Sequence, residues 1–279
     1  MATVTAQEKF VTVNNLRLRY LDWGTEGNMP MVCLHGHTGQ AHIWDEFAQA
    51  MSPHYHVLAL DQRGHGESQW ADTGYARDRF VEDVAAFVDE LGLQRFVLAG
   101  LSMGGWHSLL YTPDHQDRVE RIIIVDIAPE PSQRSVAERA NRLPTPMEFA
   151  SLDDAVAWML QTNAWATEER TRQDAIDKMR QKDDGRWTWK ADACLFNITL
   201  TDLTSRDLQE SYWKAIETIT CPILEVRGAE SILVSDETVQ RMIAVGQNFT
   251  SVDVAGAGHV VTVDKPQQFI EATQGFLGV

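Results

Sequence analysis

The sequence Phe96-Val97-Leu98-Ala99-Gly100-Leu101-Ser102-Met103-Gly104-Gly105 places the pattern Gly-x-Ser-x-Gly directly after a short apolar run, and a helix-like stretch follows it. The apolar run is typical of a buried strand, and the glycines permit a strand-to-helix turn that is too tight for larger side chains. A serine in such a turn stands above the sheet, at a helix N-terminus where the dipole favours developing negative charge. We therefore predict that Ser102 is a nucleophile. The alternative is a structural turn in which the serine only caps the helix.

The rest of the chain predicts a layered α/β core around this turn. Residues 78–91 carry apolar side chains at three- and four-residue steps and end before Gly92, as an amphipathic helix does. Buried strands that alternate with such helices indicate βαβ units and a mostly parallel sheet with helices on both faces. A hairpin is predicted at the start of the chain. Short apolar runs mark the later strands, at residues 31–34, 56–60, 96–99, 122–125, 223–226 and 250–254.

The alternation of strands and helices stops between about Glu130 and Ile219, where the chain becomes polar and rich in tryptophan and has helical patterns. It resumes afterwards and ends with a helix predicted between Pro266 and Leu277. We predict one α/β core, residues 1–129 and 220–279, with a helical cap, residues 130–219, inserted after the sixth strand.

Composition and charge narrow the class of partner. The 279 residues carry 24 Lys and Arg against 40 Asp and Glu, a net charge of −16, which argues against nucleic acid or anionic membranes as partners. No apolar run approaches the ~18–20 residues that span a bilayer, and the N-terminus lacks the features of a secretory signal. We expect a cytoplasmic protein that acts on a small molecule. The spacing of Cys33, Cys194 and Cys221 predicts neither a metal site nor a disulfide framework.

A serine hydroxyl needs a base to take its proton, and one of the nine histidines suits that role by its position. His259 ends the sequence Ala-Gly-Ala-Gly-His after the last predicted strand, so the base follows the serine in chain order. His35 and His65 adjoin glycine turns and are predicted to be structural. We predict that His259 is the base.

Four segments, in this order, resemble the α/β-hydrolase fold family, in its esterase, lactonase and C–C hydrolase branch. They are residues 34–39, 61–68, 100–105 and 256–259, and they extend over nearly the whole core. The resemblance implies an eight-stranded, mostly parallel sheet. It also implies an oxyanion hole formed by the backbone N–H groups of His37 and Met103, and the His37 side chain could also contact substrate.

The acid that orients the histidine departs from the commonest pattern of the family. That pattern has an Asp in the loop after the seventh strand, where this chain has Ile232, with Glu230 two residues earlier and Asp236 four residues later. Some members carry the acid after the sixth strand instead, where this chain has Asp126, at the sheet edge that gathers the chemistry of open α/β folds. We predict Asp126 as the acid, with Glu230 or Asp236 as alternatives.

With its predicted acid after the sixth strand, the sequence resembles the family members that hydrolyse (E)-2-(acetamidomethylene)succinate. Cofactor-free dioxygenases of the same fold also place the acid there, but they carry a histidine directly after the elbow serine, where this chain has Met103. The expected activity is cofactor-free hydrolysis of a small carboxylic ester through an acyl-enzyme. Alternatives are hydrolysis of an amide, a lactone or a C–C bond, a cofactor-free oxidoreductase (perhydrolase or dioxygenase), and a hydrolase-like receptor.

The cap is expected to cover Ser102 and to shape the substrate pocket. Trp165 and Trp187 are candidate pocket residues, and packing between the cap and the core is the alternative for each. Arg139, with its neighbours Arg134 and Arg142, could bind a carboxylate of the substrate, or these three side chains form a solvated face.

Overall fold

A computed structural model describes residues 4–140, 144–197 and 205–279, without the side chains at positions 139 and 140. Among the described residues, no helix is long and apolar enough to cross a bilayer. The strands of the described residues are β1 (Gln7–Val13), β2 (Leu16–Asp22), β3 (Met29–Leu34), β4 (Tyr55–Leu60), β5 (Phe96–Leu101), β6 (Val119–Val125), β7 (Glu148–Phe149), β8 (Met179–Gln181), β9 (Trp187–Trp189), β10 (Ile223–Gly228) and β11 (Phe249–Val254). Their α-helices are α1 (Asp45–Met51), α2 (Arg77–Glu90), α3 (Met103–Tyr111), α4 (Gln133–Ala140), α5 (Leu152–Thr162), α6 (Glu168–Lys178), α7 (Arg206–Thr218), α8 (Asp236–Val245), α9 (Val261–Asp264) and α10 (Pro266–Leu277).

The central sheet of the described chain has eight strands in the order β1-β2-β4-β3-β5-β6-β10-β11. The first hairpin is antiparallel and also meets β4 antiparallel, whereas the strands from β4 to β11 pair in parallel. The predicted α/β-hydrolase fold with a mostly parallel eight-stranded sheet is therefore confirmed. In the register of the sheet, Val125 lies opposite Leu101 on one side and Val226 on the other. The residues that directly follow Leu101, Val125 and Val226 therefore lie side by side at one edge of the sheet.

Each face of the sheet is covered by helices, because alternate strand residues point to opposite sides. On one face, Leu98 of β5 belongs to an apolar cluster that includes Phe87 of α2. On the other face, Ala99 belongs to a cluster with Phe47 of α1 and Phe269 of α10. These phenylalanines are almost fully buried, and each contributes about 1.5–3 kcal/mol through burial of its side chain. The rigid sheet between the two clusters fixes the loops at its edge.

The segment between β6 and β10, residues 130–219, contains α4 to α7, as the predicted helical insertion requires. It also contains a three-stranded antiparallel sheet, β7-β9-β8, which the sequence analysis did not predict. Strands of two or three residues are too short to show an alternating pattern. Part of this segment has an apolar cluster of its own, with Phe149, Val156 and Trp189 at its centre. The division of the chain into a core and a cap stays a prediction.

Candidate active site

Ser102 occupies the sharp turn between β5 and α3, with φ +52° and ψ −118°. Residues with side chains rarely adopt such a backbone, which is stable only where the surrounding structure enforces it. Two neighbouring glycines allow the close packing of this turn: a Cβ atom on Gly100 would lie 2.4 Å from the backbone carbonyl of Gly104, and one on Gly104 would lie 2.2 Å from the carbonyl oxygen of Leu34. The turn therefore has the geometry of a nucleophile elbow.

Three predicted site residues form one chain of hydrogen bonds. His259 Nε2 lies 2.9 Å from Ser102 Oγ, and His259 Nδ1 lies 2.7 Å from Asp126 Oδ2. The Asp126 side chain is fully buried, whereas the His259 side chain is 33% exposed. A carboxylate only accepts hydrogen bonds, so His259 carries its proton on Nδ1 and leaves Nε2 free to accept from the serine hydroxyl. This arrangement is chemically suited to deprotonate Ser102.

Asp126 is held in place by the neighbouring strand β10 and by the loop that follows this strand. Its backbone has φ +50°, and its N–H donates to Val226 O at 3.0 Å. The carboxylate accepts from Gly228 N at 3.2 Å through Oδ1, and from Ser231 Oγ at 2.6 Å through Oδ2. Ser231 was not singled out in the sequence, since its role depends on the path of the loop. The loop after β10 thus supplies hydrogen-bond donors to the acid.

The alternative acids lie elsewhere. Glu230 is solvent-exposed. Asp236 is 88% exposed and forms an ion pair with Arg227 at 2.6 Å. Among the described residues, the carboxylate that contacts His259 Nδ1 is that of Asp126.

The loop after β3 lies against Ser102. A Cβ atom on Gly36 would be 3.1 Å from Ser102 Cβ, which places the neighbouring His37 beside the elbow. Met103 begins α3, and a first-turn N–H has no acceptor within its own helix. The His37 ring, however, is engaged with the inserted segment: its Nε2 lies 2.9 Å from Leu195 O.

Buried polar groups hold the loop after β3 in place through hydrogen bonds. His35 Nδ1 donates to Gly36 O at 2.7 Å, and His35 Nε2 accepts from Gln62 N at 3.0 Å. The Gln62 side chain donates to His35 O at 2.7 Å and accepts from His107 Nδ1 at 2.6 Å. Burial lowers the pKa of His35, and it lowers the pKa of His107 well below the ordinary value. These contacts are compatible with neutral imidazole rings that hold the loop in place. The predicted role of His35 was likewise structural.

The loop that carries His259 is joined to the inserted segment. Asp264 accepts from Gly258 N through Oδ2 and from Asn163 Nδ2 through Oδ1, both at 2.8 Å. Burial raises the pKa of this carboxyl group. The Trp165 ring packs on the same loop, because a Cβ atom on Gly258 would lie 2.4 Å from its Cδ1. Trp165 therefore lies beside His259, with 45% of its surface exposed.

The structure describes Trp187 and Arg134 among the other predicted pocket residues, and neither contacts the site. Trp187 packs against the apolar cluster of the inserted segment itself. Arg134 is exposed and faces Glu138 at 3.4 Å, which fits the solvated face. The side chain of Arg139 and the whole of Arg142 lie outside the described residues. Within the described ranges, no group of three or more His, Cys, Asp or Glu side chains is arranged to hold a metal ion.

The fold and the elbow define a known class of enzyme. A family model described as alpha/beta hydrolase fold matches residues 29–266, and the chain belongs to this family. The chain is 30% identical over 274 residues to a 3-hydroxybutyrate-oligomer hydrolase of Cupriavidus necator, a match that covers 94% of this chain and 93% of that enzyme. It is 27% identical to the esterase Rv0045c of Mycobacterium tuberculosis, over 92% of this chain and 85% of the esterase.

A solved structure shows the same fold along the whole chain. The crystal structure of E-2-(acetamidomethylene)succinate hydrolase superposes with a TM-score of 0.86 at 22% identity, and the match covers 99% of this chain and 100% of that one. The resemblance expected from the sequence is thereby confirmed at the level of the fold. The protein is an enzyme of the α/β-hydrolase class.

Proposed function

We propose that this enzyme hydrolyses small carboxylic esters through an acyl-enzyme on Ser102. The observation that carries the proposal is the hydrogen-bonded chain from Asp126 through His259 to Ser102, with distances of 2.7 and 2.9 Å. All three side chains stand at the carboxyl edge of the sheet, where such folds gather their chemistry. A nucleophile, a base and an orienting acid within hydrogen-bond reach are the signature of nucleophilic catalysis.

In the proposed reaction, His259 Nε2 takes the hydroxyl proton as Ser102 Oγ attacks the ester carbonyl. The imidazolium that forms is stabilised by the buried carboxylate of Asp126. His259 then gives the proton to the departing alkoxide, which leaves as an alcohol. Water repeats the sequence on the acyl-enzyme and releases the acid, so that no cofactor is needed.

The oxyanion of the tetrahedral intermediate is proposed to bind the backbone N–H groups of His37 and Met103. The contact of Gly36 with Ser102 and the position of Met103 in the first turn of α3 support this assignment. The helix dipole adds positive potential at the same place. A single donor of this kind is typically worth about 2.7–4 kcal/mol in the transition state.

Residues 130–219 are proposed to act as a cap over the site. Three contacts support this role, and each joins the segment to a loop of the site: His37 with Leu195, Asn163 with Asp264, and Trp165 with Gly258. A cover of this kind excludes water and shapes the space for the acyl or alcohol group. We propose that Trp165 lines this space.

Esters of short hydroxy acids are the proposed substrate class. The relative at 30% identity is named for hydrolysis of 3-hydroxybutyrate oligomers, and another relative is named an esterase. Hydroxy acids condense to oligomers through ester bonds, and the scissile bond then has an alkoxide leaving group. An alkoxide leaves more readily than the nitrogen of an amide or a carbanion, so the ester needs the least further assistance.

The test is turnover of p-nitrophenyl acetate, p-nitrophenyl butyrate and the linear dimer of 3-hydroxybutyrate by wild type and Ser102→Ala. We expect repeated turnover by wild type and none above background by Ser102→Ala. A fluorophosphonate probe should add its mass to wild type, on the peptide that contains Ser102, and not to the variant. Retained activity in Ser102→Ala, or an inert wild type, would contradict the proposal. An inert wild type would direct attention to amides, lactones and oxygen uptake.

A further inference from the structure

A second carboxyl group lies buried beside the acid of the site. Glu225 is the third residue of β10, with Ile124 of β6 and Ser251 of β11 as its partners across the sheet. It is fully buried. Its Oε1 accepts a hydrogen bond from Ile127 N at 3.0 Å, and Ile127 directly follows Asp126. The proposed mechanism does not use this group.

The peptide between Asp126 and Ile127 needs an acceptor that the sheet does not provide. The pairing of β6 with β10 ends at Val125, so the Ile127 N–H lies beyond the ladder. At the same point, Asp126 adopts φ +50°, which is unfavourable for a residue with a side chain. A buried backbone N–H without a partner is costly as well. The Glu225 carboxyl group meets this need directly.

The surroundings of Glu225 favour an uncharged carboxyl group. Burial, and after it the negative charge of Asp126, raises the pKa of Glu225 well above its ordinary value. The hydrogen bond from Ile127 N and, after it, the charge of Arg227 act in the opposite direction, but the Arg227 guanidinium group is bound by Asp253 and Asp236. The second oxygen, Oε2, is buried and has no hydrogen-bond partner among the described residues. A neutral carboxyl group still accepts from Ile127 N, and it places no second negative charge beside Asp126.

We propose that Glu225 is a positioning residue, whose carboxyl group holds the peptide after Asp126 and so presents the Asp126 carboxylate to His259. It acts together with Gly228 and Ser231, which bind the carboxylate itself. This inference rests on the proposed function, because it concerns the acid of that mechanism. Its action is on geometry, and Glu225 contacts no reacting atom.

The first experiment compares Glu225→Gln with Glu225→Met. Glutamine keeps an acceptor oxygen at the same reach without ionising, and we expect kcat within about threefold of wild type. Methionine fills a similar volume without an acceptor, and we expect kcat to fall roughly 10- to 100-fold with little change in KM, since a displacement of about 1 Å at a catalytic group has such an effect. Ile223→Met, two residues earlier on the same face of β10, is the control and should leave kcat unchanged. Equal rates for Glu225→Met and wild type, or equal losses in Glu225→Gln and Glu225→Met, would overturn the inference.

A double-mutant cycle separates positioning from general damage to the core. If Glu225 acts through Asp126, Glu225→Met should lower kcat of the Asp126→Asn variant by less than threefold. A full further loss in that background would show that the residue acts elsewhere, and the inference would fall. If Glu225→Met does not fold, Glu225→Asp replaces it. Aspartate keeps the carboxyl group but is one methylene shorter, so the same loss is expected, and its absence would be equally decisive.

Failure of this inference is distinguishable from failure of the proposed function. If the fluorophosphonate probe labels Ser102 and wild type turns over esters, normal activity in both Glu225→Met and Glu225→Asp rejects only the role of Glu225. If wild type neither turns over nor reacts with the probe, the proposed function fails, and the positioning role fails with it.

Discussion

Asn163 Nδ2 donates a 2.8 Å hydrogen bond to Asp264 Oδ1, while Oδ2 of the same carboxylate accepts from Gly258 N at 2.8 Å. One buried carboxylate therefore connects the end of α5 to the residue that precedes His259. Two hydrogen bonds thus join the inserted segment to the loop that carries His259.

Replacement of Asn163 by aspartate should make this connection pH-dependent. In the variant, two carboxylates face each other. Burial already raises the pKa of Asp264 in the wild type, and the repulsion between the carboxylates raises it further. At pH 8 we expect Asn163→Asp to be less stable than wild type by about 1–3 kcal/mol, because the buried acceptor loses its donor. Towards pH 5 one carboxyl group takes a proton and can donate to the other, so the difference should shrink. Denaturant unfolding of wild type and Asn163→Asp at pH 8 and pH 5 measures this difference in stability.

Asn163→Ala is the control, since it removes the donor without adding a charge. Its difference from wild type should depend less on pH than that of Asn163→Asp. If both variants show the same difference at both pH values, the contact between positions 163 and 264 does not control the ionisation.

Asp126→Asn should lower kcat by about 10⁴-fold, because an amide stabilises the wrong tautomer of the histidine and cannot balance the imidazolium charge. Ile232→Asp is the matched control. It places a carboxyl group where the family most often has its acid, but His259 Nδ1 is already bonded to Asp126, so kcat should stay near wild type. Steady-state kinetics with p-nitrophenyl butyrate gives both values. Near-normal activity in Asp126→Asn would move the acid to the loop of Glu230 and Asp236.

Ser231→Ala should lower kcat by about fivefold, which corresponds to the loss of about 1 kcal/mol from one hydrogen bond to Asp126. Ser235→Ala is the control, because it also removes a serine hydroxyl from the loop between β10 and α8. Ser235 caps α8 by accepting from Thr238 N, so its loss should lower the free energy of unfolding by about 1 kcal/mol and leave kcat unchanged. A lower kcat in Ser235→Ala, or an unaltered kcat in Ser231→Ala, would contradict the separate roles of these serines.

Two buried histidines should each lower the stability of the enzyme in mild acid, whereas the raised pKa of Glu225 contributes in the opposite direction. Burial lowers the pKa of His65 and of His107 well below the ordinary value of 6.5. Below about pH 6.5 the unfolded chain binds protons at these rings and the folded protein does not, so the contribution of these rings to stability is full above that pH and falls as the pH decreases. Each ring contributes a slope of up to about 1.4 kcal/mol per pH unit. Urea unfolding between pH 7.5 and 5 measures this slope.

Variants identify the histidines responsible. His65→Asn keeps a donor for Arg63 O and should reduce the slope by the share of one ring. His54→Asn, at an exposed position, should leave the slope unchanged. An unaltered slope in His65→Asn would show that this ring is not the origin of the acid sensitivity.

The sequence predicted the parts of the molecule that depend on local patterns. The elbow at Ser102 follows from glycines and an apolar run, and the α/β core follows from the alternation of strand and helix periods. The position of His259 followed from chain order and its glycine-rich loop. The acid required a choice between strands, and the geometry places Asp126 in contact with His259.

Features that depend on the path of a loop or on tertiary packing could not be read from one sequence. Ser231 reaches Asp126 across 105 positions, and no local pattern marks a serine for such a contact. Trp165 and Trp187 were equivalent as candidates, yet one packs on Gly258 and the other within the inserted segment. The role of Glu225 likewise depends on its contact with Ile127 N, which no local pattern marks.

Ser102 and Asp126 directly follow the adjacent strands β5 and β6, and both precede residue 130, so only His259 follows the inserted segment. With the acid after β10, two of the three residues would follow it. The proposed nucleophile and the proposed acid are thus encoded within a single stretch of 25 positions, from 102 to 126. An exchange of residues 130–219 for the equivalent segment of another family member leaves Ser102, Asp126 and His259 in place, because all three lie outside this range. We expect such an exchange to alter substrate preference, because residues 130–219 form the proposed cap.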